Sequence, residues 1–175
     1  EIRDLETAEM AIQAALTGHL VFSTLHTNDS VSAITRLIDL GLPPYMIGAT
    51  VIGVLAQRLV RTLCASCKQP DDATTRESLQ EVVKPWRLNG NVRAYKPVGC
   101  LECRMTGYRG RAGLYELLTV TEPALGCIHP VPDTARLRAQ SLKDGLRPLR
   151  LAGAMKVAEG VTTIDEVLRC TPQWE

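Results

Sequence analysis

Residues 15–28 read Ala-Leu-Thr-Gly-His-Leu-Val-Phe-Ser-Thr-Leu-His-Thr-Asn, and this stretch decides the fold class that we predict. A helical pattern ends at Thr17-Gly18, where the glycine is a common helix stop. Residues 19–25 are mostly apolar and are typical of a short buried strand. The polar turn of residues 27–30 then offers N-caps for a second helix. Helix, strand and helix in alternation predict a layered α/β domain.

Helical patterns continue on both sides of this stretch. Residues 5–16 place apolar side chains at helical spacing, and residues 31–41 repeat the pattern up to Gly41. A third helix is predicted to open at Pro43-Pro44 and to run to about Gln57. The remaining patterns are a strand at 114–118 and three short helices, at 134–142, 149–157 and 164–169.

The composition is that of a globular protein. Hydrophobic residues make up 45% of the chain and charged residues 22%, which excludes an intrinsically disordered segment. The apolar run of residues 40–56 is shorter than the roughly 20 residues of a membrane-spanning helix and contains two prolines. Six cysteines without a secretion signal favour a reducing compartment, where paired cysteines bind metal more often than they form disulfides.

Two cysteine pairs give the sharpest local signal. Cys64-Ala-Ser-Cys67 and Cys100-Leu-Glu-Cys103 each separate two thiols by two residues, which lets both sulfurs point into one tetrahedral site. Together the pairs would complete a structural zinc shell that leaves no open position for water. The other interpretations are two redox pairs or four unrelated cysteines. The polar residues 69–90 between the pairs are predicted to be a solvated excursion rather than core.

Nucleic-acid binding is disfavoured by charge and composition. Aromatic residues are only 4% of the chain, too few for a surface on which bases stack, and the net charge is +1. Basic residues surround the cysteine pairs, but acidic residues lie in the same region. A charge-balanced zinc module favours a structural brace or a protein-docking surface, so we expect no nucleic-acid partner.

The signals for nucleotide chemistry are incomplete. The 175 residues contain no Gly-x-x-x-x-Gly-Lys-Ser/Thr loop, which would hold the β- and γ-phosphates, so we expect no ATP hydrolysis by this chain alone. Glu1 follows the pattern of a carboxylate that orients water for attack on a γ-phosphate. Taken by itself, however, Glu1 favours the simpler interpretation of a solvated charged turn shared with Arg3 and Asp4.

A second polar cluster follows the predicted strand. His26 lies where the strand ends, beside Thr24 and Asn28, and strand ends in open α/β sheets line ligand crevices. Such a cluster could sense a phosphate, or the neighbouring turn could simply satisfy the histidine. Arg58 and Arg61 follow the predicted third helix and could face phosphate, form ion pairs or be solvated.

Four stretches have to be considered together. They are Glu-Ile-Arg-Asp-Leu-Glu-Thr-Ala (1–8), the stretch at 15–28, Gly-Val-Leu-Ala-Gln-Arg-Leu-Val-Arg (53–61) and Gly-Tyr-Arg-Gly-Arg-Ala-Gly-Leu-Tyr-Glu-Leu-Leu (107–118). In this order they resemble the type II secretion and type IV pilus assembly ATPases. The resemblance covers nearly the whole chain, and the combination is more specific than any single motif.

The resemblance implies a fold and a division into domains. We expect a partial RecA-like core of the P-loop NTPase class, a small four-cysteine zinc module and a helical C-terminal subdomain. The corresponding boundaries are 1–63, 64–103 and 104–175, the last with the strand at its start. In this family the RecA-like core assembles as a hexamer that binds ATP with Mg²⁺ near subunit interfaces.

The resemblance also implies roles for individual residues. Glu1 matches the catalytic carboxylate that closes the Walker B region, and His26 matches the histidine of the His box. Arg3, Asp4, Thr24, Asn28, Arg58 and Arg61 are candidates for positions near the nucleotide. Cys64, Cys67, Cys100 and Cys103 match the zinc-binding element. Hydrolysis in this family drives pilus or pseudopilus assembly from the cytoplasmic side, through partners in the inner membrane.

The chain departs from the family in what it lacks. The Walker A loop, the Asp box and most of the Walker B strand are expected upstream of Glu1, so we interpret the 175 residues as the C-terminal part of a longer protein. The resemblance does not separate type II secretion from pilus assembly. The alternative function is a zinc-stabilised, non-catalytic module that docks on an inner-membrane secretion partner.

Overall fold

The computed structural model describes residues 1–88 and 90–172 and divides the chain into two compact units. Unit 1 comprises residues 1–56 and 116–147, and unit 2 comprises residues 57–115 and the chain from Pro148 onward. Two long strands, β1 (Gly53–Leu63) and β4 (Tyr108–Thr119), contribute residues to both units. The division into domains at 1–63, 64–103 and 104–175 follows the character of the sequence and stays a prediction.

Unit 1 is mainly helical. Its helices are α1 (Leu5–Leu16), α2 (Ser30–Asp39), α3 (Pro44–Thr50), the single turn α5 (Glu122–Leu125) and α6 (Thr134–Lys143). Asp4 caps α1 by accepting the Thr7 N–H at 2.8 Å. The prediction that the turn at 27–30 offers an N-cap is confirmed, because Asp29 accepts the Ser32 N–H at 2.7 Å. Helix α1 packs on α3 and α2 packs on α6, which buries one apolar face of each helix.

The predicted strand at 19–25 is wrong. These residues are extended but form no strand in the described part of the chain, and Phe22 is 88% exposed. Two backbone hydrogen bonds hold the segment: the His19 N–H donates to the Ala14 carbonyl at 3.1 Å, and the Thr24 carbonyl accepts from the Ile2 N–H at 2.9 Å. A strand requires a ladder of such bonds with a neighbouring strand, and these two bonds do not supply one. Within the described residues, Leu20, Val21 and Phe22 of this apolar run are left exposed.

The third helix ends earlier than predicted. Helix α3 stops at Thr50, and β1 begins at Gly53, inside the range predicted as helix. From Gly53 to Val60 exposed residues alternate with more buried ones, which is the period of a strand and not of a helix. Pairing with β4 favours the extended form because it satisfies the backbone donors and acceptors of both strands.

The strands β1 and β4 form a two-stranded sheet. They run antiparallel, since the Val120 N–H bonds Ile52 just before β1 and the Cys64 N–H bonds Gly107 just after it. The predicted strand at 114–118 is confirmed as part of β4, whose buried positions alternate at Leu114, Glu116 and Leu118. A carboxylate at the middle of this buried row was not expected.

Unit 2 combines small strands with helices. The strand β2 (Gln69–Pro70) pairs antiparallel with β3 (Tyr95–Lys96). The helices are α4 (Arg76–Val82), α7 (Leu149–Ala158) and α8 (Ile164–Cys170), with a 3-10 turn at Leu101–Cys103. All three helices predicted after residue 134 are therefore confirmed, α6 in unit 1 and α7 and α8 in unit 2. Helix α7 packs closely on α8 because Gly153 has no side chain: a Cβ there would lie 2.4 Å from Val167.

The prediction that residues 69–90 are a solvated excursion is wrong. Leu79 and Val83 of α4 and its following turn are buried, as is Leu88, and they pack with Val157 and Val167 in one core cluster. The segment contains many charged residues, but its few apolar residues are enough to form one buried helix face. Among the described residues, no helix combines the length and apolar character needed to cross a membrane.

Candidate functional site

The structure brings Glu1 and His26 together in unit 1. His26 Nε2 lies 2.6 Å from Glu1 Oε1, and Arg3 Nη2 lies 2.6 Å from Glu1 Oε2. Each carboxylate oxygen therefore has its own cationic or N–H partner. An ionised carboxylate only accepts hydrogen bonds, so the proton in the contact with His26 is on Nε2. The histidine side chain itself is 87% exposed.

The charge of Glu1 is set by its neighbours. The hydrogen bond from the Arg3 guanidinium, opposed by partial desolvation and aided by His26, lowers the pKa of Glu1 from 4.5 to about 2. The carboxylate is consequently ionised throughout the neutral range. It can hold and orient a water molecule or a cationic group, but it does not carry a proton of its own near pH 7.

The remaining candidates of unit 1 have mainly structural contacts. Asp4 caps α1, where its side chain accepts the Thr7 N–H. The hydrogen bonds to the Thr7 N–H and hydroxyl lower the pKa of Asp4. Thr24 accepts the Ile2 N–H through its backbone carbonyl. Asn28 is exposed in the loop between His26 and α2.

Arg58 and Arg61 lie in β1 and not after a helix, which corrects the geometry predicted for them. A spacing of three residues in a strand places the two side chains on opposite faces. In unit 2, Arg61 Nη2 bonds the carboxylate of Glu166 at 2.6 Å, and its guanidinium lies 4.1 Å from the ring centroid of Tyr108. Arg61 is therefore engaged in an ion pair, one of the three alternatives that the sequence left open.

The four paired cysteines converge in unit 2. Their sulfur atoms all lie within 4.8 Å of one another, and three of the sulfur pairs are 3.8–3.9 Å apart. Zn–S bonds of about 2.3 Å in a tetrahedron separate the sulfurs by roughly 3.8 Å. The donor set and its spacing fit zinc. The remaining two cysteines, Cys127 and Cys170, are outside the cluster.

The backbone around the thiols is shaped to support them. The N–H groups of Cys100 and Gly107 donate to the Cys103 sulfur at 3.1 and 3.2 Å, and the Gly99 N–H donates to Cys67 at 3.4 Å. Burial raises the pKa of the Cys103 thiol, but the two amide donors and the neighbouring thiols outweigh it and lower that pKa to about 6. Such N–H···S bonds favour thiolate, the form that binds metal.

Glycine is required at one of these turns by space as well as by conformation. Gly107 has φ +77, and a Cβ there would lie 2.4 Å from the Pro97 side chain. The adjacent Arg104 and Met105 both adopt the left-handed conformation, with φ 53 and 63, which non-glycine residues seldom do. The turn is thus held in an unusual shape beside the thiols.

Two buried carboxylates were missed by the sequence reasoning. Glu116 is 2% exposed and its Oε1 accepts both the N–H and the hydroxyl of Ser30, at 2.9 and 2.6 Å. Glu166 is also 2% exposed and accepts bonds from Arg61 and Arg169. The signal for Glu116 is its place between two leucines of a strand, at a position where alternation predicts an apolar residue.

The family model described as "Type II/IV secretion system protein" matches residues 1–169. The chain is 49% identical over 172 residues to "Type IV pilus assembly ATPase TfpB" of Acinetobacter baylyi, covering 98% of this chain and 29% of that protein. It is 44% identical over 171 residues to "Type II secretion system protein E" of Aeromonas hydrophila, covering 98% of this chain and 33% of that one. The chain thus spans about a third of the length of these relatives.

Two solved structures share the fold. The Legionella pneumophila ATPase DotB aligns with a TM-score of 0.62 and 21% identity over 97% of this chain and 36% of its own. The pilus retraction motor PilT, with bound ADP, aligns with a TM-score of 0.61 and 23% identity over 98% of this chain and 38% of its own. The chain therefore has the fold of part of these ATPases, which agrees with the predicted α/β class.

Proposed function

The chain belongs to the type II/IV secretion system protein family, and on this premise we propose that it is the C-terminal part of a hexameric secretion ATPase. In the intact protein, ATP hydrolysis with Mg²⁺ would be coupled to the assembly of a pilus or pseudopilus. The relatives named as pilus assembly ATPase and type II secretion protein E support this proposal at similar identity. For this chain, a role in assembling a pilus or a pseudopilus is part of the proposal.

The contact between Glu1 and His26 carries the proposal. Both residues were matched to catalytic positions by their motifs alone, and the structure places their side chains 2.6 Å apart. The low pKa of Glu1 keeps it anionic, as a group that orients an attacking water must be. His26, bonded to Glu1 through Nε2, is proposed to report the presence of the γ-phosphate by exchanging that contact for a phosphate oxygen.

The cluster of four cysteines is proposed to bind one structural zinc ion. Cys64, Cys67, Cys100 and Cys103 would be its ligands, and zinc would supply a rigid link between the two knuckles rather than chemistry. Lys68 supports the same region from outside the cluster. Its Nζ donates to the Gly160 carbonyl at 2.7 Å and lies 4.4 Å from the Tyr95 ring centroid.

Partners and location follow from family membership. We propose that the intact protein is cytoplasmic and associates with the inner membrane through platform proteins of the secretion or pilus apparatus. A second candidate function, a docking module, is favoured by exposed apolar residues in and just after the Cys100–Cys103 turn. Leu101 is 91% exposed and Met105 67% exposed, although both adjoin the buried thiols.

The catalytic proposal is tested in a full-length protein that contains this chain. Glu1→Gln should lower the kcat of ATP hydrolysis by at least about 100-fold, since it removes the charge that positions water. His26→Ala should lower kcat with a smaller change in KM. The matched control is Glu6→Gln, a carboxylate of the first turn of α1. Unchanged kcat in Glu1→Gln would remove Glu1 from the mechanism.

The 175 residues alone give a second test. Because they contain no phosphate-binding loop, we expect no ATP turnover above background by the isolated chain. ATP turnover by the isolated chain that survives Glu1→Gln would contradict the proposal that hydrolysis requires both this chain and the rest of the protein. The docking alternative is tested by binding to the cytoplasmic part of a platform protein, which Leu101→Ser should weaken and Leu16→Ser should not.

A further inference from the structure

The loop that carries His26 has an anchor on each side of the histidine. On the N-terminal side, the Thr24 carbonyl accepts the Ile2 N–H at 2.9 Å. On the C-terminal side, Ser30 donates its N–H and its hydroxyl to Glu116 Oε1. His26 lies between these two anchors with 87% of its side chain exposed. Its position is therefore determined by the backbone of the loop and not by packing around the ring.

The C-terminal anchor is a buried charged network. Ser30 is fully buried and Glu116 is 2% exposed, so water has little access to the hydrogen bonds between them. The preceding residue, Asp29, is also buried; it caps α2 through Oδ1 and pairs with Arg138 of α6 at 3.2 Å through Oδ2. Hydrogen bonds to an ionised carboxylate are about twice as strong as those between neutral groups.

Two carboxylates hold the start of α2. Asp29, the N-cap, accepts the Ser32 N–H, whereas Glu116 of β4 accepts the N–H and the hydroxyl of Ser30. The Thr27 hydroxyl donates to the Asp29 carbonyl at 3.1 Å, which connects the anchor to the residue that follows His26. A functional side chain needs such support, because displacements of about 1 Å already impair catalysis.

We propose that Glu116 is a positioning residue that holds the 26–30 loop so that His26 meets Glu1. This inference rests on the proposed function only for its catalytic consequence, since the positioning itself is a property of the 175 residues. Glu116 touches neither Glu1 nor His26 in the contacts described above. It acts through Ser30, and the negative charge at the N-terminus of α2 further stabilises the arrangement.

The test measures the coupling between Glu1 and His26 by NMR on the 175-residue chain. In the otherwise unchanged protein, Glu1→Gln should shift the ring signals of His26, which are assigned with a His26→Gln variant. In a Glu116→Leu background, which removes the acceptor of Ser30, this shift should vanish and the Ser30 amide should exchange at least about tenfold faster. Glu116→Gln, which keeps an acceptor oxygen, should restore most of the coupling.

The matched control is Glu166→Leu. Glu166 is buried to the same extent, but its hydrogen-bond donors Arg61 and Arg169 belong to unit 2. Loss of coupling with Glu116→Leu and not with Glu166→Leu supports the proposal. Coupling that persists in folded Glu116→Leu, or that is lost equally in both variants, overturns it. If Glu116→Leu does not fold, Ser30→Ala removes the hydroxyl bond alone and should weaken the coupling partly.

Activity in a full-length protein separates this inference from the proposed function. Glu116→Leu should lower kcat at least about tenfold with little change in KM, and Glu116→Gln should recover it. Coupling lost without any change in kcat would leave Glu116 as the positioning residue and would remove His26 from the catalytic mechanism. Coupling retained together with reduced kcat would overturn the positioning role while leaving the ATPase proposal intact.

Discussion

Replacing Cys100 by serine is the most direct perturbation of the cluster of four cysteines. Cys100 Sγ lies 3.9 Å from Cys64 Sγ and 3.8 Å from Cys103 Sγ, so it adjoins one sulfur of each cysteine pair. If the cluster binds one zinc ion, this substitution leaves three thiolates and an open coordination position. The loss of affinity should exceed the roughly 10–100-fold effect of removing an outer-shell partner of a metal ligand.

The size of the effect on thiol reactivity follows from the structure. The chain has six cysteines, of which four form the cluster and two, Cys127 and Cys170, lie outside it. The native protein should contain about one zinc per chain and expose at most two thiols to a titrating reagent. A strong chelator should release the metal and make the four protected thiols reactive.

The assay combines elemental analysis with thiol titration before and after chelation. Cys100→Ser should be purified with little zinc, and its three remaining cluster thiols should react without chelator. Cys170→Ser, which changes a half-buried cysteine outside the cluster, should keep its zinc and its four protected thiols. An unchanged chain that lacks metal and has four freely reactive cluster thiols would refute the zinc assignment.

Three further predictions concern stability, each measured by urea unfolding. Glu166→Leu should destabilise the chain by about 1–3 kcal/mol, because it removes the acceptor of the hydrogen bonds from Arg61 and Arg169, whose side chains are partly exposed to water. Since Arg61 lowers the pKa of Glu166, the native ion pair stabilises the fold above about pH 4.5, and this advantage over Glu166→Gln should disappear as the pH falls below that value. Gly153→Ala should cost about 1–3 kcal/mol, because its Cβ would meet Val167. Leu79→Ala should cost about 2–5 kcal/mol, whereas Leu101→Ala, at an exposed position, should be nearly neutral. Equal effects at these two leucines would contradict the buried placement of α4.

Local patterns were sufficient for elements whose stabilising contacts are themselves local. Helix α1 has the predicted bounds because a capping aspartate and a periodic apolar face act within one segment. The spacing of the cysteine pairs likewise predicted a cluster, because the two thiols of each pair lie within one turn of the chain. The meeting of the two pairs, by contrast, depends on contacts across 36 positions of sequence, such as that of Cys64 with Cys100.

Predictions failed where the deciding partner was distant. Residues 51–57 continue a helical pattern in sequence, but pairing with β4, more than fifty residues later, makes the segment from Gly53 extended. Residues 19–25 have the composition of a buried strand, yet the backbone bonds found for them, to Ala14 and to Ile2, do not form a ladder with another strand. Strand propensity expresses a fit to a sheet, so it cannot act where no adjacent strand is available.

The two buried carboxylates show the same limit at the level of single residues. Glu116 bonds Ser30 across 86 positions of sequence, and Glu166 bonds Arg61 across 105. In the sequence, the first resembles an interruption of an apolar strand and the second an ordinary helical surface residue. Burial of either carboxylate without a hydrogen-bond donor would destabilise the fold by several kcal/mol. Their presence in the core therefore implies specific donors that must be in place. In unit 1 that requirement fixes the start of α2 beside the His26 loop, and it therefore connects the stability of the fold to the geometry of the candidate site.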